Sequence, residues 1–190
     1  MVRKYLKLNI EIMPSKYKEV FGHFNFEQVY EEEVNKASDG DQFLEIGCYL
    51  GRSTIYLAEL IKESGKDIKL HVIDTFKGEG NTKDEEMFLD KFNENVKTAG
   101  VEDVIVTHVG TSDDLCKNFG DGQFDFIYVD GLHTYEGVKA DIKNYVPKIK
   151  KGKIFAGHDY QYEPVRTAVN ESLGAENLTF YQNTWKFYVS

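Results

Sequence analysis

One stretch of the sequence, residues 43–54, constrains the fold more than any other. It reads FLEIGCYLGRST: a compact apolar run carries one acid, two glycines bracket a tight loop, and Ser53-Thr54 opens a helix-like run. A strand, a glycine turn and a helix N-terminus in this order place bare backbone N–H groups and the positive end of a helix at one edge of a sheet. The stretch therefore predicts a binding site for the carboxylate or phosphate end of a cofactor.

Length and composition indicate an ordinary globular protein. The chain has 190 residues, 41% of them apolar and 29% charged, which is enough for one domain with a proper core. A net charge of −9 argues against a broad nucleic-acid-binding surface. No apolar run approaches the ~20 residues of a membrane span or forms a signal-peptide core, and two cysteines make no disulfide framework. We therefore expect a cytoplasmic protein that binds neither nucleic acid nor membrane.

Hydrophobic periodicity predicts alternating strands and helices. Apolar strand-like segments alternate with segments of helical spacing, and two further strand-like segments flank Gln182-Asn183-Thr184 near the end. The resulting expectation is an α/β fold, a Rossmann-like doubly wound seven-stranded sheet with five parallel strands, a C-terminal antiparallel hairpin and helices on both faces. The predicted strands are 42–47, 68–73, 104–109, 124–130, 153–157, 178–181 and 185–189, and the predicted helices include 54–61, 135–146 and 165–173.

The domain organisation follows from the same pattern. Residues 1–190 are expected to form a single domain, in which 1–37 is an N-terminal helical extension broken near Gly22 or Asn25 and 38–190 is the core. The polar, glycine-containing segment 77–84 is a candidate lid or substrate loop. Lys150-Lys151-Gly152 is expected to be the turn that precedes the fifth strand.

Polar residues and glycines follow the predicted strands at the points where they end. Because the carboxyl ends of parallel strands meet at one edge of a sheet, these positions are expected to form one site. They are Gly47, Asp74, Gly110, Asp130 and His158-Asp159.

The glycine pattern limits which class of cofactor the loop can bind. A dinucleotide-binding loop would read G-x-G-x-x-G, but Tyr49 stands where the second glycine would admit a pyrophosphate. A Walker loop is also absent, because Gly51 is followed by Arg-Ser rather than Lys-Ser. Asp74 at the end of the second strand suits a ribose diol, whose two hydroxyls can donate to one carboxylate. A nucleoside with an amino-acid tail, S-adenosylmethionine, fits these features best.

Four motifs in this order carry a resemblance to a known family. They are residues 44–54 (LEIGCYLGRST), 73–78 (IDTFKG), 129–135 (VDGLHTY) and 157–160 (GHDY). Over residues 38–190 the chain resembles the class I S-adenosylmethionine-dependent methyltransferases. Within that superfamily it is similar to the small-molecule O-methyltransferases related to macrocin and mycinamicin methyltransferases and to the cephalosporin-hydroxylase-associated proteins.

The resemblance implies a role for each motif residue in cofactor binding. Gly47 and Gly51 would let the methionine end lie against the backbone, and Glu45 would orient that loop or meet the amino group, directly or through water. Asp74 would bind the ribose hydroxyls, Thr75 and Phe76 would lie beside the adenosine, and Gly110-Thr111-Ser112 would border the adenine. The full implied set is Glu45, Gly47, Tyr49, Gly51, Ser53, Thr54, Asp74, Thr75, Phe76, Gly110, Thr111 and Ser112.

The expected chemistry is transfer of a methyl group to a hydroxyl, which needs a group that removes the hydroxyl proton. Asp130 and His133 are the expected catalytic residues, with His133 as the general base because an unperturbed imidazole has a pKa of roughly 6.5. The alternative for His133 is that it caps the helix that follows.

The resemblance also implies a divalent cation, Mg²⁺ or another, held by Asp130 and Asp159. His158 stands where some relatives carry a second carboxylate, and it is included in the expected ligand set. Imidazole favours zinc, manganese or iron over magnesium, so the identity of the metal and the need for one stay open.

Two further functions remain as alternatives to an O-methyltransferase that acts on a hydroxylated small molecule or a sugar. A non-catalytic S-adenosylmethionine-binding protein is one, because only about forty residues precede the first predicted strand. About forty residues leave little chain to cover a bound substrate. In a homodimer, a partner chain could supply that cover. A nicotinamide-dependent oxidoreductase is disfavoured by Tyr49 and by the His158-Asp159 pair.

Overall fold

The computed structural model describes residues 15–78 and 85–190. Within these ranges the chain alternates strands and helices along most of its length. The helices are α1 (Glu27–Lys36), α2 (Arg52–Ser64), α3 (Glu85–Ala99), α4 (Ser112–Leu115), α5 (Tyr135–Tyr145) and α6 (Glu163–Leu173). The strands are β1 (Gln42–Ile46), β2 (Lys69–Asp74), β3 (Ile105–Val109), β4 (Phe124–Val129), β5 (Ile149–Gly157), β6 (Leu178–Tyr181) and β7 (Thr184–Tyr188). Short 3-10 turns lie at Tyr17–Glu19, Cys116–Asn118, Val146–Lys148 and Ala175–Asn177.

The seven strands form one sheet in the order β3-β2-β1-β4-β5-β7-β6. β1 to β5 pair in parallel, whereas β7 pairs antiparallel with both β5 and β6. In the central register Ile46 lies between Ile73 of β2 and Val129 of β4, so the ends of these three strands meet at one edge. The predicted fold, five parallel strands closed by an antiparallel hairpin, is confirmed.

The core lies in two layers, one on each face of the sheet. Successive residues of β1 point to opposite faces, so Phe43 packs with side chains of α1, α2 and α3, while Leu44 packs with α5 and α6. Strand β4 is buried along its whole length, as expected for a central parallel strand covered on both faces. The expected placement of helices on both faces is therefore also confirmed.

Some element boundaries differ from those predicted. Helix α2 begins at Arg52 rather than at 54, because Gly51 takes a left-handed conformation (φ 89°) and serves as its N-cap. The predicted turn at Lys150-Lys151-Gly152 is wrong: these residues lie within β5, whose register against β4 shifts between Phe124 and Phe126. Most of the candidate lid at 77–84 lies outside the described residues.

The N-terminal segment packs onto the glycine loop and α2. Arg52 donates from Nη1 to the carbonyl oxygens of Val20 and Gly22, at 3.2 and 3.1 Å. Tyr30 of α1 is fully buried, and its hydroxyl donates to the carboxylate of Glu45, 2.9 Å away. Residues 15–36 are thus bound to the same loop that the sequence singles out. None of the helices in the described ranges is long and apolar enough to cross a membrane.

Candidate functional site

Gly47 lies where two strand-end loops touch. Its φ is +87°, and a Cβ atom at this position would lie 2.2 Å from the carbonyl oxygen of Asp130. The backbone after β4 therefore requires glycine here, which is a different reason from the expected close approach of a ligand. The contact brings the loop after β1 and the loop after β4 together at the top of the sheet.

Glu45 supports the glycine loop from beneath. Its side chain is fully buried, and its carboxylate accepts hydrogen bonds from the hydroxyls of Tyr30, Ser53 (2.6 Å) and Thr54. Burial raises the pKa of Glu45 to about 7, although the three hydroxyls oppose the shift. Of the expected roles for Glu45, orientation of the loop fits this burial, and direct contact with the amino group of a ligand does not.

The N-terminus of α2 is open for an anionic group. Gly51 has no side chain with which to cap it, and no other side chain in the described ranges caps this helix. By contrast, Thr111 caps α4 and Thr134 caps α5 through their hydroxyls. Because the Ser53 and Thr54 hydroxyls face Glu45, what the first turn of α2 can offer a ligand is backbone N–H. Tyr49, with φ +48° and an exposed ring, flanks this loop.

Asp74 connects the loops that follow β1 and β2. Its Oδ2 accepts from the backbone N–H groups of Cys48 and Tyr49, both at 2.8 Å, and its Oδ1 accepts from Phe76 N–H at 2.7 Å. An ionised carboxylate has about four acceptor positions. Asp74 can therefore hold the loop in shape and still accept from one hydroxyl of a ribose.

Phe76 does not present its ring to the site. The side chain is 2% exposed and packs against Phe92 of α3, with ring centroids 5.0 Å apart. Any contact of Phe76 with an adenosine would have to come from its backbone, which has φ +53°. Thr75, by contrast, is only half-buried.

The loop after β3 borders the same edge. The N–H of Gly110 donates to the carbonyl oxygen of Asp74 (3.0 Å), and Thr111 accepts from Asp114 N–H as the cap of α4. Ser112 donates its hydroxyl to Asp141, a buried carboxylate on α5. Burial raises the pKa of Asp141 to about 6. Asp141 supports this loop much as Glu45 supports the glycine loop.

A cluster of acids and imidazoles lies at the ends of β4 and β5. Nε2 of His133 lies 2.7 Å from Oδ2 of Asp159 and 3.8 Å from Oδ1 of Asp130. Asp159 has φ +60°, a strained conformation for a residue with a side chain, at the turn out of β5. The structure thus brings together the expected catalytic residues, His133 and Asp130, and two of the expected metal ligands, Asp130 and Asp159.

The protonation of His133 differs from the expectation. Hydrogen bonds to Asp130 and Asp159 raise the pKa of His133 to about 10, and burial opposes this only partly. Burial raises the pKa of Asp159, but interactions with the His133 and His158 rings outweigh it and hold that pKa below its usual range. The pKa of His133 therefore lies well above the unperturbed value of roughly 6.5 from which the sequence argument started. The alternative role as a helix cap is wrong, because Thr134 caps α5.

His158 closes the cluster from the sheet side. The residue is 6% exposed, and its Nδ1 lies 3.2 Å from Oδ1 of Asp159 and 3.7 Å from Oδ1 of Asp130. Its other ring nitrogen, Nε2, lies 2.9 Å from Oδ1 of Asn25. The two carboxylates therefore lie between two imidazole rings.

The donor set fits a divalent cation. Asp130, His133 and Asp159 each offer a ligand atom, and these atoms all lie within 4.8 Å of one another. The expected set had His158 in place of His133, and the structure directs both imidazoles at the carboxylate pair. Two carboxylates with one or two imidazoles suit zinc, manganese or iron(II) better than magnesium.

Three residues of the site did not stand out in the sequence: Asn25, Tyr30 and Asp141. Asn25 stands between Phe24 and Phe26, which are both buried. A polar residue between two aromatic residues could have indicated a polar contact inside the protein. Tyr30 and Asp141 lie on helices, where their spacing gives no indication that the hydroxyl and the carboxylate point inward.

Comparison with known families supports the expected chemistry. Residues 44–160, more than half of the chain, match the family model described as a methyltransferase domain. A comparison with curated proteins finds no match.

Several solved structures with the same fold are O-methyltransferases by title. The O-methyltransferase NovP is 20% identical, with 86% of this chain and 77% of that chain covered and a TM-score of 0.68. TomG from Streptomyces achromogenes, an O-methyltransferase involved in tomaymycin synthesis and solved with SAM, is 16% identical, with 93% and 87% covered and a TM-score of 0.64. CalS11, a TDP-rhamnose 3'-O-methyltransferase, is 17% identical, with 85% and 76% covered and a TM-score of 0.58. At these identities the likeness establishes the fold alone.

Proposed function

The chain belongs to the family of methyltransferase domains, and on that premise we propose that it transfers a methyl group from S-adenosylmethionine to a hydroxyl of a small molecule. The resemblance to class I methyltransferases is thereby confirmed. The observation that carries the proposal is the contact between Gly47 and the Asp130 backbone. It brings the open helix N-terminus of the cofactor loop next to the only cluster of metal-ligating side chains found in the described residues.

The cofactor would lie along the ends of β1, β2 and β3. The backbone N–H groups after Gly51 would bind its carboxylate, because the first turn of α2 is open and positive. Asp74 would accept from the ribose, and the loop at Gly110-Thr111-Ser112 would border the adenine. When bound, S-adenosylmethionine supplies an electrophilic methyl group on a sulfonium.

The acceptor hydroxyl would be activated by the residues after β4 and β5. As the new carbon–oxygen bond forms, the carbon–sulfur bond breaks and its electron pair stays on sulfur, so the hydroxyl proton must leave. Asp130 would accept that proton on its carboxylate, and the ion pair of His133 and Asp159, 2.7 Å apart, would orient the acceptor and stabilise the charge that develops on its oxygen. Asp130 would hold the acceptor beside this pair.

A divalent cation would fit the same cluster. Asp130 and Asp159 would hold it together with His133 or His158, and it would supply Lewis-acid polarisation of the acceptor hydroxyl. The imidazoles favour manganese, zinc and iron(II) over magnesium as this cation.

The acceptor is proposed to be a small hydroxylated compound with an apolar part. Leu132 and Tyr162 are 68% and 53% exposed, and the Tyr162 ring lies 6.2 Å from the ring of His133. Exposed apolar side chains beside a polar cluster are typical of a ligand-binding surface. The titles of TomG and CalS11 name natural-product and nucleotide-sugar chemistry, and both compound types belong in a substrate screen.

Several expectations remain predictions. These are the division into an N-terminal extension (1–37) and a catalytic core (38–190), the homodimer and the cytoplasmic location. The alternative of a non-catalytic cofactor-binding protein also remains, and one observation favours it: the ion pair with Asp159 keeps His133 protonated near neutral pH.

Calorimetry with S-adenosylhomocysteine tests the cofactor part. We expect binding by the wild-type protein and at least tenfold weaker binding by Asp74→Ala, because a charged acceptor at the ribose is lost and the loop loses three hydrogen bonds. No binding by the folded wild-type protein would contradict the proposal.

Release of S-adenosylhomocysteine with phenolic and sugar acceptors tests the catalytic part. The assays are run with chelator and with each divalent cation. Asp159→Asn should bind S-adenosylhomocysteine like the wild type and lose turnover. Binding without turnover for every acceptor class and every metal would favour the non-catalytic alternative.

A further inference from the structure

The N-terminal segment reaches the catalytic cluster through one residue, Asn25. The residues on either side of it, Phe24 and Phe26, are buried in the core, with ring centroids 4.7 Å apart. Phe26 also stacks on Tyr128 of β4 at 4.5 Å and lies 4.9 Å from the His158 ring. Two anchored aromatic rings therefore fix the backbone of Asn25 directly beside His158.

The hydrogen bond between Asn25 and His158 determines which ring nitrogen carries a hydrogen. Oδ1 of Asn25 lies 2.9 Å from Nε2 of His158, and a carbonyl oxygen can only accept. With this oxygen as its partner, Nε2 is the nitrogen that donates. The other nitrogen, Nδ1, then faces Oδ1 of Asp159 at 3.2 Å and Oδ1 of Asp130 at 3.7 Å.

The backbone of His158 is held as firmly as its ring. Its N–H donates to the carbonyl oxygen of Val129 (3.0 Å), and its own carbonyl oxygen accepts from the indole N–H of Trp185 (3.2 Å). With the backbone fixed and the side chain 5% exposed, the remaining freedoms are the orientation of the ring and its tautomer. In the described part of the chain the hydrogen-bonding partner of Nε2 is Asn25.

We propose that Asn25 is a positioning residue: it holds the hydrogen of His158 on Nε2 and thereby directs Nδ1 at the Asp130–Asp159 pair. In a neutral ring this arrangement presents the Nδ1 lone pair to a cation held by the carboxylates, as partners of metal-binding histidines commonly do. Without the bond, the ring could move its hydrogen to Nδ1 and donate it to Asp159, which would block that nitrogen. The N-terminal segment is therefore part of the site rather than a cover for it.

The orientation of the ring does not depend on the proposed methyl transfer, although its use in catalysis does. The test therefore has one readout that needs no substrate. Protein with ¹⁵N-labelled histidine is examined by long-range ¹H–¹⁵N NMR, and the His158 signals are assigned by their loss in His158→Gln. The wild-type protein should show a protonated, pyrrole-type Nε2 at His158. An unprotonated Nε2 in the wild type would overturn the proposal without any variant at Asn25.

Three variants separate positioning from a merely structural role. In Asn25→Ala the hydrogen should move toward Nδ1, so that Nε2 gains pyridine-type character. Asn25→Asp keeps an acceptor oxygen at the same place and should retain the wild-type pattern. His23→Ala changes an exposed residue of the same segment and serves as the control. A His158 spectrum that is the same in Asn25→Ala as in the wild type would show that Asn25 does not set the tautomer.

Turnover, once an acceptor is found, gives the second readout. Asn25→Ala should lower kcat about tenfold or more and leave the affinity for S-adenosylhomocysteine within about twofold, because the cofactor loop is untouched. Asn25→Asp should recover most of kcat. An equal loss of kcat in both variants would contradict the positioning role. If the NMR result holds and no acceptor is turned over, the proposed function fails and the positioning of His158 stands.

Discussion

Gly47 of the cofactor loop lies directly against the backbone of Asp130 in the catalytic cluster. A Cβ atom on Gly47 would lie 2.2 Å from the carbonyl oxygen of Asp130 and 2.6 Å from Cα of Gly131. Atoms of the main chain cannot move aside as the tip of a flexible side chain can. The two loops must therefore separate if Gly47 acquires any side chain, and the site would open at its centre.

Gly47→Ala should destabilise the protein by at least about 3 kcal/mol, because the clash with backbone adds to the cost of a positive φ. Gly65→Ala is the matched control. Gly65 also has a positive φ (+68°) but nothing lies within 4 Å of its Cβ position, so the expected loss is only about 1 kcal/mol. Denaturant unfolding measures both. Equal losses would mean that the contact with Asp130 costs nothing.

Glu45→Gln should change the pH dependence of stability. The pKa of Glu45 is raised from 4.5 to about 7 by burial, so between these values the folded protein binds more protons than the unfolded chain. The contribution of this carboxyl to the free energy of unfolding therefore falls as pH rises from 4.5 to 7, by about 3 kcal/mol. Glutamine keeps the hydrogen-bonding shape and removes the titration.

The measurement is urea unfolding of both proteins at pH 4.5, 6 and 8. We expect Glu45→Gln to gain stability relative to the wild type as pH increases. A difference between the two proteins that is independent of pH would contradict the raised pKa. Unchanged affinity for S-adenosylhomocysteine would further support a role for Glu45 beneath the loop rather than at the ligand.

The titration of His71 should change stability with pH in the direction opposite to that of Glu45. Nδ1 of His71 lies 2.9 Å from Nε2 of His108 on the neighbouring strand, and the rings stack at 5.2 Å. Burial, and secondarily repulsion from His108, lowers the pKa of His71 from 6.5 to about 4. Between these values the unfolded chain binds more protons, so stability is lost as pH falls from 6.5 to 4. The loss is about 1–2 kcal/mol, after a discount for partial exposure.

His71→Phe should reduce the loss of stability between pH 6.5 and 4, which is the acid limb of the stability profile. Phenylalanine does not titrate, and Phe119 and Phe124 already surround the ring. Thermal unfolding between pH 4 and 7 gives the comparison. The same change at the exposed His23 should leave the limb as it is in the wild type. An unchanged limb in His71→Phe would mean that another group controls acid stability.

The sequence allows the fold and the composition of the site to be predicted. Strands that end in Gly47, Asp74 and Asp130 are central and parallel, so their ends must meet, and hydrophobic periodicity alone locates them. The chemical types of the site residues also follow from the sequence, because carboxylates and imidazoles at the ends of such strands have few roles other than binding and catalysis. For this reason the expected residues of the site lie together at one edge of the sheet.

Burial and protonation could not be predicted in the same way. Glu45 looks like a ligand-binding acid in sequence, and only the packing of Tyr30 over it reveals a buried support. The pair of His133 and Asp159 depends on the left-handed backbone of Asp159, for which a non-glycine residue gives no signal. The contact between Asn25 and His158 joins residues 133 positions apart, beyond the range of any local pattern.

The two cysteines should differ in reactivity, which tests the packing of the glycine loop. Cys48 is 4% exposed, and burial, together with the charges of Asp74 and Glu45, holds the pKa of its thiol well above 9. Since the thiolate is the reactive form, Cys48 should resist alkylation, and its position in the loop does not make it a nucleophile. Cys116 is only partly buried. Iodoacetamide at pH 8 should therefore modify the native protein once, at Cys116, as read by peptide mass spectrometry. The native Cys116→Ser variant should stay unmodified and should react at Cys48 only after unfolding in urea. Modification of Cys48 in the folded variant would show that the loop opens, contrary to its support by Asp74 and Glu45.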